Sequence, residues 1–150
     1  MAVKHAHVSV VADAVPPGDL VQPSDWNANH TTDGAFEIII DGAGVAITTG
    51  IKGDIECPFA GTITGWRLFA DQAGSIVIDI WKDVYANFPP VDADSICAAA
   101  LPTLAGVAKN ESAGLSGWTT AFAKGDILRF NVDSITTCTR VTLSLTVTEP

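Results

Sequence analysis

Ile63-Thr64-Gly65-Trp66-Arg67-Leu68-Phe69-Ala70-Asp71 is followed, across Gln72-Ala73, by Gly74-Ser75-Ile76-Val77-Ile78-Asp79-Ile80-Trp81-Lys82-Asp83. Both runs are rich in β-branched and aromatic residues, which suit a pleated, half-buried surface. Asp71-Gln72-Ala73-Gly74 between them reads as a tight turn, with Gly74 free to take a positive φ. The stretch therefore predicts a β-hairpin at the centre of an all-β protein. Nothing in it carries the residue pattern of a catalytic centre, so the expected task is to bind or to build.

Strand signals recur outward from this centre at short spacing, separated by Gly, Pro, Asp and Asn, the pattern of a sandwich or barrel. Phe36, Ile38 and Ile40 alternate onto one face. Further strands are predicted near residues 44 to 50, 54 to 58, 117 to 123 and 126 to 133, with Lys124-Gly125-Asp126 as a turn. In the last run, Val141, Leu143, Leu145 and Val147 alternate with Arg140, Thr142, Ser144, Thr146 and Thr148, so one face should be buried and the other wet. Tyr85 to Pro90 reads as a turn-rich loop, and Asp92 to Pro102 as a short helix or an irregular strand. The fold class expected is an antiparallel, jelly-roll-like β-sandwich over residues 36 to 150, preceded by an extended arm over residues 1 to 35.

The arm differs from the rest. Pro16-Pro17-Gly18 breaks a short Val-rich run, and Gln22-Pro23-Ser24-Asp25-Trp26-Asn27-Ala28-Asn29-His30 contains a capped helical turn at most. Such a segment encloses no core of its own, so Trp26 is expected to pack on the main domain or on a neighbouring subunit.

Composition bounds the function. A 150-residue chain is one domain by default and buries roughly 68 to 70% of its unfolded surface without staples. Hydrophobic residues make up 47% and charged residues 17%, so apolar surface in excess of the core is expected to be hidden in an oligomer or larger assembly. A net charge of -9 with eight basic residues argues against nucleic acid and anionic lipid as partners. The opening residues lack the apolar run of a secretory signal, and no stretch has the length of a membrane span. The expectation is a soluble product of the cytoplasm with no membrane insertion. Cys57, Cys97 and Cys138 are widely spaced and include no CxxC pair; they read as buried thiols, with one disulfide left open.

Several residues are candidate sites. Asp79 interrupts an apolar strand and would need a partner if buried; Arg67 and Arg140 are the cations expected to supply it. Paired carboxylates in one cleft would serve glycoside hydrolysis, with Asp79 the one nameable member, yet structural pairing is the preferred reading. Asp41, Asp54, Asp71, Asp83, Asp126 and Asp133 fall at strand ends and turns, where Asp bonds to backbone. His5 and His7 would share a face of the arm and could meet a metal only around a symmetry axis, while His30 lacks a triad. No cofactor, metal or catalytic residue is therefore assigned. Trp66, Trp81, Tyr85 and Trp118, with Trp26, are the candidates for an intersubunit anchor or, if exposed together, for a sugar-binding platform.

Cys57 to Trp66, Gly74 to Pro90 and Gly125 to Ser134 together resemble a β-sandwich module of tailed-bacteriophage virion proteins, over most of residues 36 to 148. His5-Ala6-His7 and Gln22 to His30 resemble N-terminal attachment segments of phage tail-fibre and other virion structural proteins. The resemblance implies a non-enzymatic virion component, a tail-fibre or capsid-decoration protein, made in the host cytoplasm and located in the virion. It implies docking through the arm on capsid, neck, tail or baseplate proteins, and assembly as a homotrimer. A receptor-binding module for a host-surface glycan is the alternative.

Overall fold

A computed structural model describes residues 32 to 149. Seven strands form one antiparallel sheet: β1 (Thr32–Asp41), β2 (Gly50–Glu56), β3 (Gly61–Val84), β4 (Thr103–Ser112), β5 (Ala121–Phe122), β6 (Asp126–Thr136) and β7 (Arg140–Glu149). All-β and antiparallel, as the alternating runs predicted, the sheet is organised by a feature the sequence concealed. β3 is a single strand of 24 residues, and the predicted hairpin does not exist.

Pairing along β3 explains why the chain stays extended. Thr62 to Ala70 pair with β7, and Ser75 to Val84 pair with β6, so β6 and β7 form one row running antiparallel to the whole of β3. β4 and β5 make a second row on the other side, pairing with β3 from Val77 back to Gly61. β1 and β2 make the outermost row, against β7 and β6 respectively. Four rows thus cross a common transverse crease at residues 42 to 49, 71 to 74, 106 to 108 and 137 to 139.

The sheet folds over at that crease. An added Cβ on Gly53 of β2 would lie 3.3 Å from Ile38 Cδ1 of β1, so the two halves of the outer row face one another. One contiguous core fills the space between halves, with Ile63, Leu68, Leu143 and Leu145 from the first and Ile76, Ile78, Ile80, Leu128 and Phe130 from the second. Phe36, Phe59 and Phe122 close one end, their ring centroids 5.3 to 5.9 Å apart, distances at which aromatic pairs attract. At the β3 edge, Ile96 N–H donates to Ile80 O (2.9 Å), Thr119 N–H to Ile96 O (2.9 Å) and Ile63 N–H to Thr120 O (2.9 Å), which stitches one half to the other. The layering is that of the expected sandwich, made from one creased sheet.

The predicted turn at Asp71 to Gly74 is this crease. Asp71 accepts hydrogen bonds from the backbone N–H of Thr139 (3.2 Å) and Arg140 (3.0 Å) and from the Thr139 hydroxyl. These bonds, the hydroxyl foremost, lower the Asp71 pKa. Gln72 donates its amide to Thr137 O, and the Thr137 hydroxyl donates to Ala73 O at 3.3 Å. Gly74 is needed here for closeness, not for positive φ: a Cβ would stand 2.5 Å from Cys138 Sγ and 2.7 Å from Thr136 O. In β4 the crease does use a left-handed residue, Gly106, at φ 70°, where an L side chain is strained.

Other boundaries moved. The strand predicted at 44 to 50 is a loop leading into β2, and the one at 117 to 123 shrinks to Ala121–Phe122. Residues 32 to 35 pair with β7 as part of β1. β4 was not foreseen. Asp92 to Asp94 form a single 3-10 turn, and Ser95 bridges to Trp81, so the Ala-rich stretch is neither a helix nor a regular strand. The rest of the arm, residues 1 to 31, lies outside the described residues.

Candidate interaction site

Asp79 is buried, 6% exposed, on the outer face of the second half of the sheet. Neither expected arginine meets it. Arg67 pairs with Glu111 at 2.7 Å and Arg140 with Asp41 at 2.8 Å, each on its own row of the first half. The partners are neutral donors instead: Ile80 N–H to Oδ1 (2.7 Å), the Ser95 hydroxyl to Oδ1 (2.6 Å) and Trp81 Nε1–H to Oδ2 (2.8 Å). Ser95 comes from the segment that bridges Trp81, so the carboxylate pins the 85 to 102 loop to the sheet. Both oxygens are occupied by structural donors, as the pairing reading required, although by different residues.

That loop covers part of the outer face of the second half, over Asp79 and Arg129, while Ile51, in line with Asp79 and Asn131, stays 45% exposed. Phe88 sits against Arg129, whose guanidinium carbon is 5.1 Å from the ring centroid, while Arg129 forms a two-pronged ion pair with Asp54 (2.7 and 2.9 Å). Cation–π and bidentate carboxylate contacts are both geometries that favour arginine. Val84 at the end of β3 and Tyr85, Phe88 and Val91 in the loop remain exposed, Tyr85 most of all at 74%.

The candidate aromatics are not gathered on one surface. Trp66 and Trp118 are buried in the core, and Trp118 Nε1–H donates to Ala100 O at 3.0 Å. Trp81 is half-buried on Asp79, and only Tyr85 of the four presents its ring to solvent. Trp26, His5, His7 and His30 lie outside the described residues. Among the described residues, no group of three His, Cys, Asp or Glu side chains is placed to hold a metal.

Among the described residues, no loop is bound over the outer face of the first half as Ser95 is over the second. Directly opposed residues of antiparallel strands share a face, and the register aligns Ile39, Thr142, Phe69 and Lys109 across β1, β7, β3 and β4. Ile39 is 66% and Phe69 46% exposed. Their sequence neighbours Ile40 and Leu68 point into the core, which confirms that the strip faces outward. The next line across is Glu37, Ser144, Arg67 and Glu111. An open groove between β3 and β4 is lined by Arg67, Phe69, Lys109 and Glu111. Lys109 has no ion pair among the described residues, whereas Arg67 is engaged by Glu111. Composition alone points to surplus apolar surface but not to this strip, because Ile39 and Phe69 also fit core positions of alternating strands.

All three cysteines are free and buried. Burial raises each thiol pKa, that of Cys57 to about 12. An acid held protonated by the fold stabilises it fully below the unfolded pKa near 9.0 and loses that contribution as pH rises toward 12. Chemical denaturation between pH 8 and pH 11 should therefore show falling stability, and Cys57→Ala should flatten the decline. A wild-type profile independent of pH over that window would contradict the assignment.

No protein-family model matches the chain, and no curated protein matches it. Among solved structures, the chain is similar to one from turnip yellow mosaic virus, at 14% identity and a TM-score of 0.38, covering 99% of this chain and 90% of that one. It is also similar to one from the Gx strain of infectious bursal disease virus, at 13% identity and a TM-score of 0.22, covering 91% of this chain and 44% of the other.

Proposed function

We propose that this chain is a non-enzymatic structural component of a virus particle, of the tail-fibre or capsid-decoration kind. Its N-terminal residues dock it on capsid, neck, tail or baseplate proteins, and its β body assembles with further copies as a homotrimer. The observation that carries the reading is the apolar surface exposed on both halves: Ile39 and Phe69 on the outer face of the first, and Ile51 on that of the second with Val84, Tyr85, Phe88 and Val91 beside it. Apolar surface of that kind is what contact with another chain would bury. The likeness of Cys57 to Trp66, Gly74 to Pro90 and Gly125 to Ser134 to phage virion modules supplies the context. Asp79, the one nameable candidate for hydrolysis, has both carboxylate oxygens bonded by structural donors.

Copies carrying a net charge of -9 repel one another, so assembly should strengthen as salt screens them. Sedimentation equilibrium is expected to give three times the 15.6 kDa chain mass at micromolar concentration, with the monomer fraction falling between 20 and 300 mM salt, on the order of the range over which screening lengths drop below ~10 Å. A solitary chain at every concentration and salt would retire the assembly. Absence of the chain from purified particles, judged by mass spectrometry, would retire the virion role.

A further inference from the structure

We infer that the exposed strip Ile39–Thr142–Phe69–Lys109 receives the Asp25-Trp26 pair from the N-terminal segment of a second copy. This rests on the assembly reading above and names its partner surface.

Three observations support it. The strip offers two apolar side chains flanking a threonine methyl and ends in a lysine that has no ion pair among the described residues. Asp25-Trp26 offers an indole beside a carboxylate, the complementary order of apolar and charged groups. Thirty-one residues of chain precede β1, and they enter the sheet at Thr32, on the same half as the strip.

Distance selects the neighbour over the chain's own strip. Thr32 lies seven residues along β1 from Ile39, and Phe69 is two strands further across, a separation of about 25 Å from strand rise and spacing. The six residues from Trp26 to Thr32 span about 20 Å fully extended, and a turn that reverses them over the face takes up about half of these, leaving about 10 Å, a shortfall larger than side-chain contact makes up. A second copy places no such limit on the approach.

The test is a disulfide trap in the full chain. Trp26→Cys combined with Phe69→Cys should give chains linked to one another on a non-reducing gel after mild oxidation, with little linkage in either single variant. An intrachain link, or none, overturns the inference. A charge series gives independent evidence without oxidation. Asp25→Lys and Lys109→Asp should each weaken self-association by about two- to five-fold, the range of an exposed ion pair, and the double reversal should restore it. Phe69→Ser should weaken it by about ten-fold or more. If the wild type assembles and neither series changes its assembly, this docking is wrong while the assembly stands; if the wild type stays solitary, both fall.

Discussion

Gly74→Ala is expected to destabilise the protein by about 3 kcal/mol, the upper end of what overpacking a filled site costs. The added methyl would stand 2.5 Å from Cys138 Sγ, 2.6 Å from Thr137 Oγ1 and 2.7 Å from Thr136 O. Cys138 is fully buried and Thr136 O belongs to backbone, so neither gives way as a flexible surface side chain would. Relief requires β3 to move away from the β6–β7 junction, which loosens the crease on which both halves pivot. Gly106→Ala is the informative control. It meets no atom within 4 Å and is strained only by its φ of 70°, for a cost of about 1 to 2 kcal/mol. Urea denaturation of the two variants distinguishes the mechanisms: a Gly74→Ala midpoint equal to wild type would mean that β3 and the junction are not in such close contact.

Asp79→Asn carries the second large effect, also about 3 kcal/mol, from leaving a buried donor unpaired and losing the charge on the remaining bonds. Oδ1 accepts from Ile80 N–H and the Ser95 hydroxyl, and Oδ2 accepts from Trp81 Nε1–H. An amide has one oxygen where three donors converge, so its NH2 group must face either the indole or the other two. The damage should be local before it is global. Hydrogen exchange at Ile96, whose N–H bonds to Ile80 O, should accelerate more than exchange at Leu143 in the opposite half. Equal protection at both sites together with unchanged stability would show that the loop is held by something other than this carboxylate. Arg67→Ala and Arg140→Ala should leave Asp79 undisturbed, because their partners are Glu111 and Asp41.

How much was legible depended on what each residue answers to. β7 is legible because its two faces meet different media: Val141, Leu143, Leu145 and Val147 are buried while Arg140 and Thr146 are exposed, although Ser144, expected on the wet face, is buried. β4 was missed for the converse reason. Of Thr103 to Ser112 only Leu104 is buried, so an edge strand with both faces wet writes no alternation into its sequence. The exposed strip was not legible because outward Ile39 and Phe69 are apolar like the inward Ile40 and Leu68, and periodicity does not say which apolar face the core takes. The need of Asp79 for partners was legible from its apolar surroundings. Their identity was not, since Ser95 reaches it through a loop that closes back sixteen residues later.

By itself, the sequence determined that the protein is β-rich and antiparallel, because side chains alternating every second residue leave only the pleated strand as a way to separate oil from water. It also determined that the chain is acidic and rich in apolar residues. Only the tertiary structure decided that Asp71-Gln72-Ala73-Gly74 continues a strand. Those four residues have turn chemistry in isolation, but Thr137, Thr139 and Arg140 take up their hydrogen bonds from across the sheet. A local preference worth about a kcal/mol is outweighed when a long-range partner satisfies the same groups and a common core lies on both sides of the crease.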